Sequence, residues 1–199
     1  KTNYSNFGSL LSASGIATVS GDDTGDTDEA SGAWRTELSD SGLVTLTNSG
    51  YQEPGAAGYA RLYGTSFAVP QVAGTIALML SANPQLTYEQ IVTGLQRSAR
   101  PHVLSTKMAE CSEANPGRCI CTTTTCGAGI LDAEQALLYA QRPDSYTPPN
   151  WPAVVIDTPE LDRALALAPQ DRPAKVAPPV SGGGDGGGAF RALWLMALV

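Results

Sequence analysis

The sequence has few basic residues, few aromatic residues and a single histidine. Aromatic residues make up 7% of the 199 positions. Lysine and arginine together number 12 against 19 aspartates and glutamates, which gives a net charge of −7. Because nucleic-acid-binding domains normally carry a basic face, this balance argues against that class of partner.

Long apolar runs and targeting segments are also scarce. Residues 1–15 lack the charged start and apolar run of a signal peptide. The longest apolar segment is interrupted and shorter than the roughly 20 residues that usually span a bilayer. The chain begins at Lys1 inside a stretch rich in Gly, Ser and Asn, so we expect further polypeptide upstream in the natural protein.

Four cysteines lie close together, at Cys111, Cys119, Cys121 and Cys126, and their spacing lacks the C-x-x-C pair typical of zinc sites. His102 lies outside the cluster. We therefore expect disulfides, an exported protein and no metal site. Three pairings are formally open. We favour Cys111–Cys119 with Cys121–Cys126, because Cys119 and Cys121 are too close in sequence to bond easily with each other.

Residues 1–60 read as short strands joined by long polar loops. The apolar pieces Gly15–Val19 and Leu43–Leu46 predict two of these strands. The acidic loop at residues 21–32 invites a structural calcium ion, but it lacks the alternating oxygen ligands and closing glutamate of a calcium loop. We interpret it as a solvated loop, and we expect no required cofactor.

Three helices follow. The segment Phe67–Ala82 is apolar on nearly every face, which predicts a buried helix. A capping box at Thr87–Gln90 predicts a second helix that ends before Pro101. Asp132, with Gln135 three residues later, predicts the cap of a third helix that continues to about residue 140.

The composition changes at Pro143. Nine of the 14 prolines lie between Pro143 and Pro179, which predicts an extended linker, with one short helix at Glu160–Ala168. A glycine run from Gly182 to Gly188 and an apolar decapeptide then end the chain. We divide the chain into a domain at 1–141, a linker at 142–180 and a tail at 181–199. The tail is a candidate for membrane or cell-envelope attachment.

Ser66, in the stretch RLYGTSFAVPQVAG, lies just before the first of these helices. A proline inside a helix clashes with the carbonyl four residues back, so Pro70 places the helix start at about Ser66. Free backbone N–H groups and the positive end of the helix dipole converge there, which favours a developing oxyanion. Ser66 is therefore either an ordinary N-cap or a nucleophile.

A serine nucleophile needs a general base, usually a histidine. His102 is the only histidine, but it follows Ser66 by 36 residues and two helical segments, and it adjoins Pro101. It is a poor candidate for that base. The residues alone leave both interpretations of Ser66 open.

The segment GTSFAVPQVAG at 64–74 resembles the serine motif of the subtilisin-like serine proteases, the subtilases. Further segments at 4–8, 83–87 and 127–133 are similar to other stretches of that family. The likeness covers residues 1 to about 140. The matching motif positions are Gly64, Thr65, Ser66, Ala68, Pro70, Ala73 and Gly74.

The resemblance implies an α/β fold, here the C-terminal portion of a three-layer domain with a parallel sheet, followed by a disordered Pro/Gly-rich tail. It implies that Ser66 attacks a protein or peptide substrate and that its N–H is an oxyanion donor. Gly64, Thr65 and Pro70 would support the motif. Leu62 and Tyr63 would border the leaving-group side of the cleft.

The family's catalytic Asp and His, and its oxyanion Asn, precede the serine motif, and nothing between Lys1 and Tyr63 matches their motifs. We therefore expect a fragment that is inactive alone. Gln71 replaces a histidine common in the motif, at a position that we interpret as packing. An α/β-hydrolase fits poorly, because its G-x-S-x-G elbow would need glycine where Ala68 stands. A catalytically inactive exported binding module stays open.

Overall fold

The computed structural model describes residues 1–2, 4–21, 27–28, 33–34, 42–50 and 52–167. Most of the acidic loop at 21–32 and all of the chain from residue 168 lie outside the described residues. The hypotheses of a calcium loop and of a disordered or attached tail concern those parts.

The described strands form two antiparallel pairs. Strand β1 (Thr27–Asp28) pairs with β2 (Ala33–Trp34), and β3 (Leu43–Asn48) pairs with β4 (Ala57–Leu62). The longer pair places Leu43 opposite Leu62. The strand expected at 43–46 is present, whereas the segment expected at 15–19 makes one parallel bridge, between Ala17 and Ile130.

The three-layer parallel sheet that the resemblance implies is not formed by the residues described. Strands β3 and β4 are joined by residues 49–56, a connection that suits a hairpin, whereas parallel neighbours need a crossover of a dozen or more residues. Parallel pairing among the described residues is limited to isolated bridges such as Ala17–Ile130. The observed architecture is a mixture of helices and short strands.

Within the described residues, four α-helices follow the hairpin. They are α1 (Val69–Ala82), α2 (Tyr88–Ser98), α3 (Ala133–Gln141) and α4 (Pro159–Leu167). Single 3₁₀ turns occur at Ser9–Ser12 and Thr65–Phe67.

Both helix caps predicted from the sequence are present. The Gln90 N–H donates to the Thr87 hydroxyl at 3.2 Å, and the Thr87 N–H donates to the Gln90 side chain at 2.9 Å. The Gln135 N–H donates to Asp132 Oδ1 at 3.0 Å. These bonds satisfy N–H groups that have no partner inside their own helix.

The core lies where α1 and α2 pack against α3. Gly94 of α2 marks a close approach to α3, because a Cβ atom there would lie 2.5 Å from a ring carbon of Tyr139. The buried members of this core are Met79, Leu86, Leu95, Ala136, Tyr139, Ala140 and Tyr146.

Helix α1 is less buried than its composition predicts. Thr75 and Met79 are its buried residues, while Val69 is 66% exposed and Leu78 is 52% exposed. The prediction of a fully buried helix is wrong for the described residues, because α3 covers only one side of α1. By length and composition alone, Thr65–Ala82 could also cross a bilayer. That is weak evidence, since core helices of soluble proteins have the same composition.

Residues 143–158 form a strap that lies along the helices and the segment after Pro101. Tyr146 is buried, its ring packs edge-on against Tyr139 at 5.5 Å, and its hydroxyl donates to Gln135 at 3.0 Å. Further along, the Leu104 N–H donates to the Val154 carbonyl at 2.8 Å. The composition change at Pro143 therefore does not mark the end of packed structure.

The short helix expected in the linker is present as α4. The preceding Thr158 hydroxyl accepts a hydrogen bond from the Leu161 N–H at 3.3 Å, and Pro159 is its first residue. A proline is well suited to the first turn, because its missing N–H would have no helical acceptor there.

Candidate active site

Ser66 lies in the 3₁₀ turn Thr65–Phe67, immediately before α1. The α-helix itself begins at Val69, three residues later than the position predicted from Pro70. The tighter turn accommodates the difference, and Pro70 still falls in the first turn of the helix, where its missing N–H costs nothing. Ser66 therefore lies at the mouth of the helix, as expected, but outside it.

The Ser66 side chain does not cap the helix. Gly64 and Ala68 occupy the cap positions of the 3₁₀ turn and of α1, and neither cap uses a side-chain hydrogen bond. Ser66 is exposed, and within the described part of the chain its hydroxyl makes no hydrogen bond. The N-cap interpretation therefore lacks the bond that defines it.

The backbone around Ser66 leaves a donor available. The Phe67 N–H donates to the Gly64 carbonyl at 2.9 Å, and the Ala68 N–H donates to the Thr65 carbonyl at 3.0 Å. Among the residues described, the Ser66 N–H has no acceptor. An unpaired N–H next to an unpaired hydroxyl, at a helix N-terminus, is a combination that can hold a negatively charged oxygen.

Gly64 fixes how the chain turns from β4 into this site. Its φ of 132° is rarely adopted by residues with a side chain. Its N–H donates to the Ser20 carbonyl at 2.9 Å, which ties the turn to the segment 16–21. A Cβ atom at Gly64 would meet nothing within 4 Å, so the position demands a glycine for backbone conformation rather than for space.

Gln71 connects the site to the rest of the fold more directly than its sequence position suggested. Its Nε2 donates to the Phe67 carbonyl at 2.8 Å and to the Val19 carbonyl at 2.6 Å, and its Oε1 accepts from the Thr18 hydroxyl at 3.0 Å. Its side chain therefore positions the serine turn against residues 18–19 through hydrogen bonds and does not serve for packing alone. The available signal was a glutamine in a helix whose other polar residues are Thr75 and Ser81.

The two residues expected at the cleft border have structural partners. Leu62 ends β4 opposite Leu43, and the Tyr63 ring lies 5.6 Å from that of Tyr4. Neither lines the large cleft described below. Their proposed position beside bound substrate stays a prediction.

A cleft of about 940 Å³ opens beside the serine turn. The segment 16–21 forms one wall, and Val69, Val72 and Ile76 of α1 form another. Thr65 and Ala68 reach its edge, whereas Ser66 is not among the lining residues. The cleft is largely apolar, so it is suited to a hydrophobic surface rather than to a charged ligand.

His102 lines the same cleft but is engaged elsewhere. Its Nε2 lies 3.0 Å from the Gly127 carbonyl. No hydrogen bond joins His102 to Ser66 in the described parts of the chain. That His102 is not the base for Ser66 stays a prediction.

The cysteines form the pairing favoured from the sequence. Cys111 is bonded to Cys119, and Cys121 is bonded to Cys126. Cys111, Cys119 and Cys126 are buried, and Phe7 packs against them. The two disulfides tie residues 111–126 together, and Phe7 packs the N-terminal segment against them.

Comparison with known proteins decides the family. A model described as "Subtilase family" matches residues 4–135, which include the hairpin, the serine turn, α1, α2 and the first three residues of α3. The chain belongs to the subtilase family.

Two subtilase relatives are similar over short segments. An extracellular protease of Xanthomonas campestris pv. campestris is 39% identical over 101 residues, which are 50% of this chain and 15% of that protein. Subtilisin-like protease 1 of Plasmodium berghei is 46% identical over 48 residues, which are 24% of this chain and 8% of that protein. The chain thus spans less than a sixth of either relative.

A solved protease structure from Pseudoalteromonas arctica is 34% identical, with a TM-score of 0.38. The match covers 51% of this chain and 25% of that one.

Among the described residues, the ionisable groups with shifted pKa values are Asp157 and Tyr146. Hydrogen bonds from the Ser105 hydroxyl, then from the hydroxyl and the N–H of Thr106, lower the pKa of Asp157 from 3.8 to about 2. Burial, followed by the charge of Asp132, raises the pKa of Tyr146. Both groups belong to the strap, so these shifts describe its docking and not a general base at the serine.

Proposed function

We propose that Ser66 is the nucleophile of a serine endopeptidase. The observation that carries the proposal is an exposed hydroxyl with no hydrogen-bond partner, on a tight turn at the N-terminus of α1. Ser66 Oγ attacks the scissile carbonyl of a protein or peptide, and the amine half leaves. The acyl group remains on Ser66 until water releases it. The unpaired Ser66 N–H donates to the oxyanion during both steps.

The proposed reaction needs a proton acceptor, and no described residue is hydrogen-bonded to Ser66 Oγ to act as one. The one histidine is engaged with the Gly127 carbonyl. We propose that the Asp and His of the triad, and an Asn that completes the oxyanion hole, come from polypeptide outside this chain. The chain alone is then expected to be inactive.

The exposed face of α1 supports the same proposal. Val69 and Leu78 leave more than half of their surface in water, and an apolar cleft adjoins them. Burying such side chains contributes about 1.5–3 kcal/mol each, so a complete domain is expected to cover them. We propose that the additional polypeptide does so and completes the three-layer sheet.

We propose further that the protein is exported. Two disulfides persist in oxidising compartments and are rare in the cytosol. The Xanthomonas relative is named an extracellular protease. Attachment through residues 181–199 is a separate proposal. Fractionation of cells that express the protein with and without these residues tests it, and an unchanged distribution would count against attachment.

Peptide hydrolysis by the natural protein that contains this chain tests the function. The Ser66→Ala variant should lose about 10³-fold or more in kcat, because the nucleophile is removed. The matched control is Ser81→Ala, an exposed serine of α1 away from the turn, which should leave the rate unchanged. Equal hydrolysis by the parent and Ser66→Ala would contradict the proposal. Absence of hydrolysis in all three would favour the inactive binding module.

A further inference from the structure

The serine turn is tied to the segment 16–21 on both sides of Ser66. On the side of β4, the Gly64 N–H donates to the Ser20 carbonyl at 2.9 Å. On the side of α1, the tie runs through one side chain, that of Gln71. Ser66 thus lies between two hydrogen-bonded points that share one short piece of backbone.

The Gln71 side chain replaces a helical hydrogen bond that the start of α1 lacks. In a regular α-helix the N–H of residue 71 would donate to the Phe67 carbonyl. Here the Gln71 N–H donates to the Ala68 carbonyl at 3.1 Å instead, as in a 3₁₀ turn. The Phe67 carbonyl accepts a hydrogen bond from Gln71 Nε2 at 2.8 Å. The peptide that follows the serine turn is therefore oriented by a side chain and not by the helix.

The three partners of the Gln71 amide fix its orientation. Nε2 carries two protons, and both go to carbonyl oxygens, those of Phe67 and Val19. Oε1 accepts a hydrogen bond from the Thr18 hydroxyl at 3.0 Å. A flipped amide would set Oε1 against two carbonyl oxygens and lose both of those bonds. Gln71 is half-buried, so water would not fully replace these contacts if they were removed.

The segment 16–21 is itself fixed, which makes it an effective anchor. The Ala17 N–H donates to the Gly129 carbonyl at 2.8 Å, and the Leu131 N–H donates to the Ala17 carbonyl at 2.7 Å. The segment is thus joined to the backbone that leads into α3, and it resists displacement of the serine turn.

We propose that Gln71 is a positioning residue for the reaction at Ser66, an inference that rests on the proposed function. It holds the serine turn so that the Ser66 N–H and Oγ point toward one substrate carbonyl. An oxyanion donor is effective at about 2.7–3.1 Å from the developing charge. A displacement of about 1 Å can cost on the order of 10²-fold in rate. Gln71 acts through the backbone of the turn and takes no part in proton transfer.

Steady-state hydrolysis of a peptide by the natural protein that contains this chain tests the proposal. Gln71→Met has a side chain of similar length, favours helix and makes none of the three bonds. We expect kcat to fall about 10-fold and KM to change less than about twofold, because positioning matters most in the transition state. The matched control is Gln85→Met, at an exposed position before α2, which should keep the parent kcat. Each variant is compared under conditions in which circular dichroism shows it fully folded.

The Thr18 hydroxyl provides a second test, in which one hydrogen bond is removed. Thr18→Val should lower kcat about threefold, since Gln71 Oε1 then lacks its partner. In the Gln71→Met background the same change should have no further effect, because the bond that it removes is already absent. Additive losses in kcat would show that the two side chains act separately and would overturn the proposal. If Gln71→Met does not fold, Thr18→Val decides, and a parent-like kcat in that variant overturns the proposal.

Ser66→Ala separates this proposal from the function on which it rests. Hydrolysis that survives Ser66→Ala contradicts the proposed function, whatever the rates of the Gln71 variants. An inactive Ser66→Ala variant beside a Gln71→Met variant with the parent kcat overturns the role of Gln71 alone. A raised KM with unchanged kcat in Gln71→Met also overturns that role, since the lost interaction would then be one of ground-state binding.

Discussion

Asp132 offers the sharpest test of how the helices are held. Its carboxylate is buried and has two partners at once. Oδ1 accepts the Gln135 N–H at 3.0 Å as the cap of α3, and Oδ2 accepts Arg100 Nε at 2.6 Å. The Asp132 side chain is 4% exposed, whereas that of Arg100 is 53% exposed.

The expected loss in free energy of unfolding on substitution of Asp132 follows from its two contacts. Loss of an N-cap costs about 1 kcal/mol. The ion pair is half solvated on the Arg100 side, so it adds about 1 kcal/mol rather than the larger value of a buried pair. Asp132→Ala should therefore lower the free energy of unfolding by about 2 kcal/mol. Asp132→Asn keeps a capping oxygen and should cost about 1 kcal/mol.

Urea unfolding of the oxidised chain, followed by far-ultraviolet circular dichroism, measures both variants. Asp144→Asn is the control, because it removes the same charge from an exposed position and should change the free energy by less than about 0.5 kcal/mol. If Asp132→Ala and Asp132→Asn lower the free energy of unfolding equally, the N-cap does not contribute as proposed. If Asp132→Ala lowers it by less than about 0.5 kcal/mol, neither the N-cap nor the ion pair with Arg100 contributes as proposed.

Three further predictions concern the serine turn, the core and the strap. Gln71→Leu removes three hydrogen bonds and should cost about 1–2 kcal/mol in urea unfolding, with faster amide exchange in segment 16–21. Gly94→Ala should destabilise the core by about 1 kcal/mol, because overpacking against Tyr139 outweighs the gain in helix propensity. The Asp157 carboxylate, with a lowered pKa of about 2, stabilises the folded state above pH 3.8, and this contribution should fade as the pH drops from 3.8 through 2. Carboxyl chemical shifts follow that titration.

Each of these has a result that would contradict it. Unchanged exchange at 16–21 in Gln71→Leu would remove its positioning role. If Gly94→Ala instead raised the free energy of unfolding, the Tyr139 ring would have to move aside without cost. If Asp157→Asn loses stability between pH 4 and 2 as the parent does, a group other than Asp157 causes that loss.

Local patterns in the sequence predicted local structure well. The caps at Thr87 and Asp132 were predictable, because a capping side chain and its N–H are three residues apart in any chain. The hairpin strand at 43–46 and the short helix after Thr158 follow from similar local signals. The disulfide pairing also matched, since each bond closes a short loop.

Features that depend on distant partners were not predictable. The apolar composition of α1 favours burial, but the exposed fraction of its side chains depends on which other elements pack against it. Tyr146 was assigned to a linker, yet Arg97 donates to its carbonyl at 2.8 Å and Tyr139 packs against its ring. At the site, the motif pointed to Ser66, but the contacts of Gln71 with segment 18–19 appear only after folding.

Mapping the site of an active-site label shows whether Ser66 is the nucleophile. The natural protein that contains this chain is treated with a fluorophosphonate, digested and analysed by mass spectrometry. We expect one stoichiometric adduct, on the peptide that carries Ser66, and its loss in Ser66→Ala but not in Ser81→Ala. An adduct on another serine, or labelling that survives Ser66→Ala, would contradict the assignment of Ser66 as the nucleophile.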